Sequence, residues 1–421
     1  MHLTKSVAEP TWTAALRISP STRRVESRII FCNASSYNSR VPSTSPTIVQ
    51  VLPAMESGGV ESGTLEIAKA VVQRGWTSVV ISSGGRLVTQ LQDEGTEHIE
   101  WALGRKSAFT LFEIPKFRRF IDQKKPDIVH AQSRLPAWVS YLAWRKRKSL
   151  QTRFVTTVNG AHSVSRYSEI MTSGERVICV SKTIQDYVTN NYPRADVNRL
   201  RVIPHGIESA QYKPQFSPQP SWLSQWQTEF PKIQGRKIVT LAGRITRLKG
   251  QIDAAKMFAR LLDRGVEASL LFVGDAQVGK ERYTQELHQV VDQLGIAEHT
   301  SFLGHRSDLK EILSVSDVSL NFTLQPEAFG RTVIESLALG TPVVAYDHGG
   351  AAEQLEVMLP SGRIPVGDIH TATETVESFL YNPPTIATEH PFTLDHMQQS
   401  TLAVYEELLS QTKREQPLTA P

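Results

Sequence analysis

The stretch Pro326–Gly350, PEAFGRTVIESLALGTPVVAYDHGG, decides how the rest of the chain is read. It holds two carboxylates, Glu327 and Glu335, eight positions apart. Glu327 follows a proline and reads as a loop residue just before a helix. Gly330 lets the backbone turn, and Arg331–Leu339 reads as a short helix. Thr332, Val333 and Ile334 lower its intrinsic propensity, so packing has to hold it. Gly340 stops the helix and Thr341-Pro342 cannot continue it. Val343–Tyr346 reads as a short buried strand and Asp347–Gly350 as a turn. This layout aims unpaired backbone N–H groups and the positive end of a helix at one place, with a carboxylate on each side. It suits an anionic ligand that also carries hydroxyls. Taken alone, the stretch equally admits two solvated surface carboxylates.

Upstream, strands and helices alternate twice over. Thr47–Leu52 reads as a strand, Glu61–Gln73 as a helix with Leu65, Ala68 and Val72 on one face, and Thr77–Ile81 as the next strand. Strands follow at Asp127–Ala131, Phe154–Val158, Arg176–Val180 and Arg201–Ile203, with helices at Phe112–Gln123, Ala137–Lys148 and Lys182–Asn190 between them. Residues 211–235, with several prolines and glutamines and Trp222 and Trp226, break the rhythm. It restarts with strands at Lys237–Leu241, Ser269–Val273, Thr300–Leu303 and Val318–Phe322, the last leading into Glu327. Helices at Gln251–Leu262, Tyr283–Leu294 and Leu309–Ser314 separate them, and others near Ala372–Tyr381 and Thr393–Ser410 follow. The class is α/β, with mostly parallel sheets covered on both faces. The expected domains are 47–212 and 236–390, joined by 213–235. A last helix at 391–411 follows, and 412–421 is a tail. In open α/β sheets ligands bind outside the carboxyl ends of the strands, so the loops named below can all face one cleft.

Composition bounds the rest. The 421 residues are 40% hydrophobic and 21% charged, as in an ordinary soluble protein. Cys32 and Cys179 are too few and too far apart for a disulfide framework or a multi-thiolate metal site. No apolar run approaches a membrane span and no secretory signal is seen, so the cytoplasm is the expected compartment. Residues 1–46 lack periodicity, carry a net charge of +4 and read as disordered, as a transit peptide or as an over-extended start. Residues 47–212 carry +7 and 213–421 carry −7. The two halves therefore suit different partners, unless surface charge simply drifts along the chain.

Gly58-Gly59 opens the first helix of a βαβ unit, where backbone N–H groups hold phosphates. GGVESG is not the dinucleotide fingerprint GxGxxG. In the second domain, Arg244 and Lys249 lie in the loop after its first strand, beside Gly243 and Gly250. Two cations there can neutralise a diphosphate as negative charge grows on it during bond breaking. No Asp-x-Asp pair or close His/Cys cluster offers a metal instead. As isolated residues, Arg244 and Lys249 would be ordinary surface cations.

With these residues in view, the sequence resembles the GT-B-fold retaining glycosyltransferases of glycosyltransferase family 4, most closely the bacterial enzymes that build lipopolysaccharide and other surface glycans. Gly58-Gly59-Val60-Glu61, Val202 through Ile207, Gly243-Arg244 with Lys249-Gly250, Phe302-Leu303-Gly304, Glu327 through Glu335, Gly340 through Val344 and Gly349-Gly350 carry the resemblance over about residues 47–411. It implies a UDP- or GDP-sugar donor, no cofactor or metal, and a glycan or lipid-linked acceptor. Arg244 and Lys249 hold the donor diphosphate, and Glu327 meets hydroxyls of the transferred sugar. Glu335 accepts from the ribose. Backbone N–H groups of Phe329, Gly330, Arg331 and Thr332 contact sugar and phosphates, and the loop at Gly304 lies against the base. Gly58 and Gly59 admit the donor to the first domain, and the helix at 391–411 crosses back onto that domain.

Retention by double displacement needs a carboxylate nucleophile, and the first domain's loops offer no good candidate. Same-face attack, with the departing diphosphate helping to deprotonate the acceptor, fits better. Where family members often carry His after the strand Phe154–Val158, this chain has Asn159, with His162 three positions on. Asn159 can bond a sugar hydroxyl but cannot be a base. His162 either substitutes for the missing His or is a satisfied structural histidine, the reading preferred here, and His205 reads as a turn residue. The basic helix end Trp144–Lys148, with Lys116, Arg118 and Arg119, either touches anionic lipid at the inner face of a membrane or is a solvated helix terminus. No aromatic-interleaved basic groove for nucleic acid is present. Two other functions keep the fold: a nucleotide-sugar 2-epimerase, and a nucleotide-sugar-binding protein without transfer.

Overall fold

The computed structural model describes residues 45–415 apart from 57, 105–109, 111, 147–150 and 277–280. The segment expected to be disordered therefore lies almost wholly outside the described residues, as do Arg147 and Lys148 of the basic helix end and the last six residues of the tail.

Runs of β-branched residues set two parallel sheets. The first contains β1 (Thr47–Val51), β2 (Thr77–Ser82), β3 (Glu97–Glu100), β4 (Ile128–Ala131), β5 (Arg153–Val158), β6 (Arg176–Cys179) and β7 (Leu200–Val202), in the order β3-β2-β1-β4-β5-β6-β7. The second contains β8 (Lys237–Ala242), β9 (Ala268–Val273), β10 (Thr300–Gly304), β11 (Val318–Asn321), β12 (Val343–Tyr346) and β13 (Arg363–Ile364), in the order β10-β9-β8-β11-β12-β13. Each sheet reverses its winding beside its first strand, at β1/β4 and β8/β11. Those are the crevices where doubly wound sheets bind ligands.

Four elements differ from the sequence reading. The helix expected at Ala137–Lys148 runs Arg134–Trp144, because Pro136 is tolerated in a first turn. The helix Val88–Asp93 and β3 form where the sequence shows no apolar periodicity to mark them. Asp347–Gly350 is not a free turn: Gly349 starts a helix that runs to Met358. The connection at 213–235, expected to be extended or capped by a short helix, carries such a helix and is packed. Its Pro220–Glu229 helix lays Trp226 against Ile238, Leu271, Ile312 and Leu313 of the second domain, and Trp222 Nε1 donates to Asp308 at 2.7 Å.

The last helix, Leu394–Glu415, lies on the first sheet, not the second. Its Met397, Val404, Tyr405 and Leu408 pack with Ile48, Ile67, Ile128 and Val155. Glu407 pairs with Arg176 and Arg201. The two crossings between domains are stitched together, Ile207 N–H to Phe392 O at 3.1 Å and Leu394 N–H to Ile207 O at 2.8 Å.

Candidate functional site

The loops after β8, β9 and β10 are sewn edge to edge by backbone bonds: Gly243 N–H to Val273 O, Ile245 N–H to Asp275 O and Gly274 N–H to Gly304 O, at 2.8–2.9 Å. His305 N–H donates to the Asp275 carboxylate at 2.8 Å, fixing the turn at Gly304. A short 3-10 turn, Arg247–Lys249, is tied to the loop after β11 by Leu324 N–H to Leu248 O at 2.8 Å. That contact crosses the β8/β11 crevice and delivers Lys249 to Glu327.

The Lys249 ammonium pairs with Glu327 Oε1, and the two side chains are only 23% and 21% exposed. Glu327 Oε2 accepts from Asn321 Nδ2 at 2.9 Å and faces Thr323 Oγ1 at 3.5 Å. Burial alone would raise the Glu327 pKa, but Lys249, with Asn321 and Thr323, outweighs it and holds the carboxyl below its usual range. Arg244 is exposed and makes no ion pair among the described residues, while Gln251 Nε2 secures its carbonyl at 3.0 Å. Sequence reasoning missed Asn321 and Thr323. Their signal was two polar residues at the end of an otherwise apolar strand run.

The backbone from Glu327 to Phe329 rests on Gly349 and Gly350. Gly350 N–H donates to Glu327 O at 2.7 Å, and a Cβ at Gly349 or Gly350 would come within 2.5 Å of Glu327 N or Phe329 Cα. Gly330 then turns at φ +85° and starts the Arg331–Ala338 helix, whose first N–H groups, those of Arg331 and Thr332, have no partner within the helix. Phe329 is buried edge-on to the His205 ring, 5.5 Å away.

Glu335 is not alone on its helix. Arg331 Nε lies 3.6 Å from it, while the Arg331 fork grips Glu66 of the first domain at 3.0 and 3.3 Å. Burial raises the pKa of both Glu66 and Glu335, and Arg331 partly offsets it. Glu66 carried no sequence signal, because its partner is 265 residues away.

In the first domain, Gly58 has φ +153°, with the Glu61 carboxylate beside it. Gly59 opens the helix to Gln73, and a Cβ there would meet nothing within 4 Å, so its outer side is open. Asn159 Nδ2 donates to Gln132 O at 3.1 Å. His162 is half-buried, its ring has no protein hydrogen-bond partner among the described residues, and burial, then Arg134, lowers its pKa. Only its carbonyl is used, by the Tyr187 hydroxyl. His205 is more than a turn residue. It is wedged between Gly63 and Phe329, where burial and then Arg331 push its pKa down to about 3. A further histidine, His130 in β4, bonds the Tyr405 hydroxyl and Thr157 Oγ1 at 2.6 Å each, and burial holds it at about 3. His130, Gln132, Asn159 and His205 line one cavity of about 30 Å³.

Two family profiles divide the chain as the sheets do: Glycosyltransferase Family 4 matches residues 57–211, and Glycosyl transferases group 1 matches residues 224–389. The chain is a GT-B glycosyltransferase. The crystal structure of a glycosyltransferase from Rickettsia africae ESF-5 shares 27% identity with it at a TM-score of 0.76, covering 87% of this chain and 99% of that one. Anabaena Alr3699/HepE, solved with UDP and glucose, has the same fold, with a TM-score of 0.67 at 19% identity over 88% of this chain and 99% of that one. The lipopolysaccharide core biosynthesis mannosyltransferase LpsB of Rhizobium meliloti is 25% identical over 49% of this chain, which spans 61% of that enzyme. In this glycosyltransferase the gap between the matched spans, residues 212–223, ends in the first turn of the Pro220–Glu229 helix. Among its described residues no three His, Cys, Asp or Glu side chains gather to hold a metal ion, and no helix is long and apolar enough to cross a membrane.

Proposed function

We propose that this glycosyltransferase moves a hexose, with retention and without a metal, from a UDP- or GDP-sugar to a glycan or lipid-linked acceptor in cell-surface glycan synthesis of the lipopolysaccharide kind. It works in the cytoplasm, at the inner face of the membrane. The observation that carries the reading is the half-buried Lys249–Glu327 pair at the β8/β11 crevice, set in front of the Gly330 helix start. A diphosphate laid over Arg244, Lys249 and the N–H groups of Arg331 and Thr332 has its charge met without a cation cofactor. Glu327, kept ionised, accepts hydrogen bonds from hydroxyls of the sugar. Glu335 meets the ribose. When the anomeric C–O bond breaks, its electron pair leaves with the diphosphate. The acceptor oxygen bonds the same face of the anomeric carbon, and its proton passes to a departing phosphate oxygen. Asn159 and His162, on the first domain's facing loops, orient the acceptor. The UDP and glucose in Alr3699/HepE and the lipopolysaccharide core biosynthesis of LpsB support the donor and acceptor classes.

A thermal-shift panel of nucleotide sugars, followed by transfer to a membrane-lipid extract, tests this. Glu327→Gln and Lys249→Ala should each slow transfer at least about tenfold, the size of one lost transition-state contact. Unchanged rates in both would remove the site assignment.

A further inference from the structure

The carboxyl edge of the first sheet carries a cation without a counter-charge. Arg134, half-buried, opens the Arg134–Trp144 helix after β4. No carboxylate lies within ion-pair distance of it among the described residues, whereas Arg153, Arg176 and Arg201 of neighbouring strands each reach a glutamate. Neutral groups hold it in place. Its Nη1 donates to Ser168 Oγ at 3.3 Å, and its guanidinium lies 5.4 Å from the centre of the Tyr167 ring. Trp138 Nε1 fixes that tyrosine's carbonyl at 2.9 Å. The side chain is positioned while its charge stays unneutralised.

The groups around it are short of acceptors. Ser133 stands at the N-cap, where a hydroxyl takes an N–H from two or three residues on, but the third residue is Pro136, which has none. No cap bond forms, and Ser133 Oγ is shut from solvent without a partner. His162, on the next loop, has a ring nitrogen to offer, and Arg134 acts on it electrostatically. Arg166 is exposed on the same loop, with Val164 and Tyr167 exposed beside it. A partly buried guanidinium prefers a planar, two-oxygen anion, and leaving it unpaired is unfavourable.

We propose that Arg134, held by Ser168 and with His162 beside it, is an anion subsite that takes a phosphate or carboxylate borne by the acceptor. It is separate from the donor diphosphate, which belongs to the second domain. The proposal rests on the glycosyl-transfer reading above for the identity of the acceptor, but the anion site itself can be tested without catalysis. A soluble sugar phosphate and a phospholipid-linked sugar present the same chemistry.

The full chain, saturated with UDP to occupy the donor side, is titrated calorimetrically with glucose 6-phosphate and with glucose. In parallel it is floated with phosphatidylcholine vesicles with and without phosphatidic acid. Preference for the anionic member of either pair by about tenfold or more, from one charge-assisted contact, is expected. The pair that shows it names the source. Arg134→Gln should abolish the preference and Arg134→Lys should keep most of it. If Arg134→Gln does not fold, the ratio is read in Ser168→Ala, where it should fall. A preference unchanged in Arg134→Gln, or in Ser168→Ala where Arg134→Gln does not fold, or none in the wild type for either pair, overturns the subsite. Arg134-dependent anion binding without transfer from any nucleotide sugar leaves the subsite standing and sinks the function. Transfer to acceptors with an unchanged ratio sinks the subsite alone.

Discussion

For the proposed role, Glu327 has to stay ionised inside the protein and still have lone pairs free for a sugar. Lys249 meets the first need, and the Asn321 and Thr323 contacts are confined to one carboxylate oxygen. Asn321→Ala should therefore lower kcat several-fold with less effect on the donor KM, because it loosens the carboxylate rather than removing it; steady-state kinetics at varied donor checks this. Residue identities were legible in the sequence, but the meeting of Lys249 and Glu327 was not, since it depends on β8 and β11 being neighbours. The histidines make a separate claim. An unfolded histidine titrates near 6.5, whereas His130 and His205 sit at about 3 in the fold. Between those values the unfolded chain binds more protons, so the stability they contribute is present above about pH 6.5 and lost as pH falls. At pH 5 each accounts for a loss of roughly 2 kcal/mol. Glu66 and Glu335, with raised pKa values, work in the opposite sense. Urea midpoints should fall from pH 7 to pH 5, and less steeply in His205→Gln. Equal slopes would contradict the assignment.

Among the elements, buried strands such as TIVQV and ASLLFV announced themselves by composition, because a strand covered on both faces needs little else. β3, EHIE, did not: it is an edge strand with polar ends. The Gly349–Met358 helix was hidden because a Gly-Gly pair signals a turn. The glycines are there for a different reason, since any side chain would collide with the Glu327–Phe329 backbone. The last helix shows how an element gains specificity beyond its apolar face. Tyr405→Phe keeps the ring and removes the bond to His130, and should cost about 1 kcal/mol of unfolding free energy by urea titration. No loss would mean that the hydroxyl finds equal solvation elsewhere.

At the scale of the whole molecule, the two sheets meet through few but specific contacts. Glu353 accepts from the N–H groups of Lys182 at 3.0 Å and Thr183 at 2.6 Å, so a carboxylate of the second domain caps a helix of the first. Arg331 grips Glu66, and Phe329 meets His205. In the proposed mechanism the positive charge for the departing diphosphate comes from Arg244 and Lys249 of the second domain. Transfer should therefore proceed in excess chelator, and strict dependence on added Mg²⁺ would refute the metal-free mechanism. The return of the Leu394–Glu415 helix to the first sheet also bears on how the protein is made. The first domain's last strand leaves the ribosome roughly 190 residues before the helix that covers Ile48, Ile128 and Val155, a wait of about 10–40 s at ordinary synthesis rates. During that interval the nascent chain carries a bare apolar sheet face. It is then a client for chaperones, and stalled or truncated translation products should aggregate through the first domain.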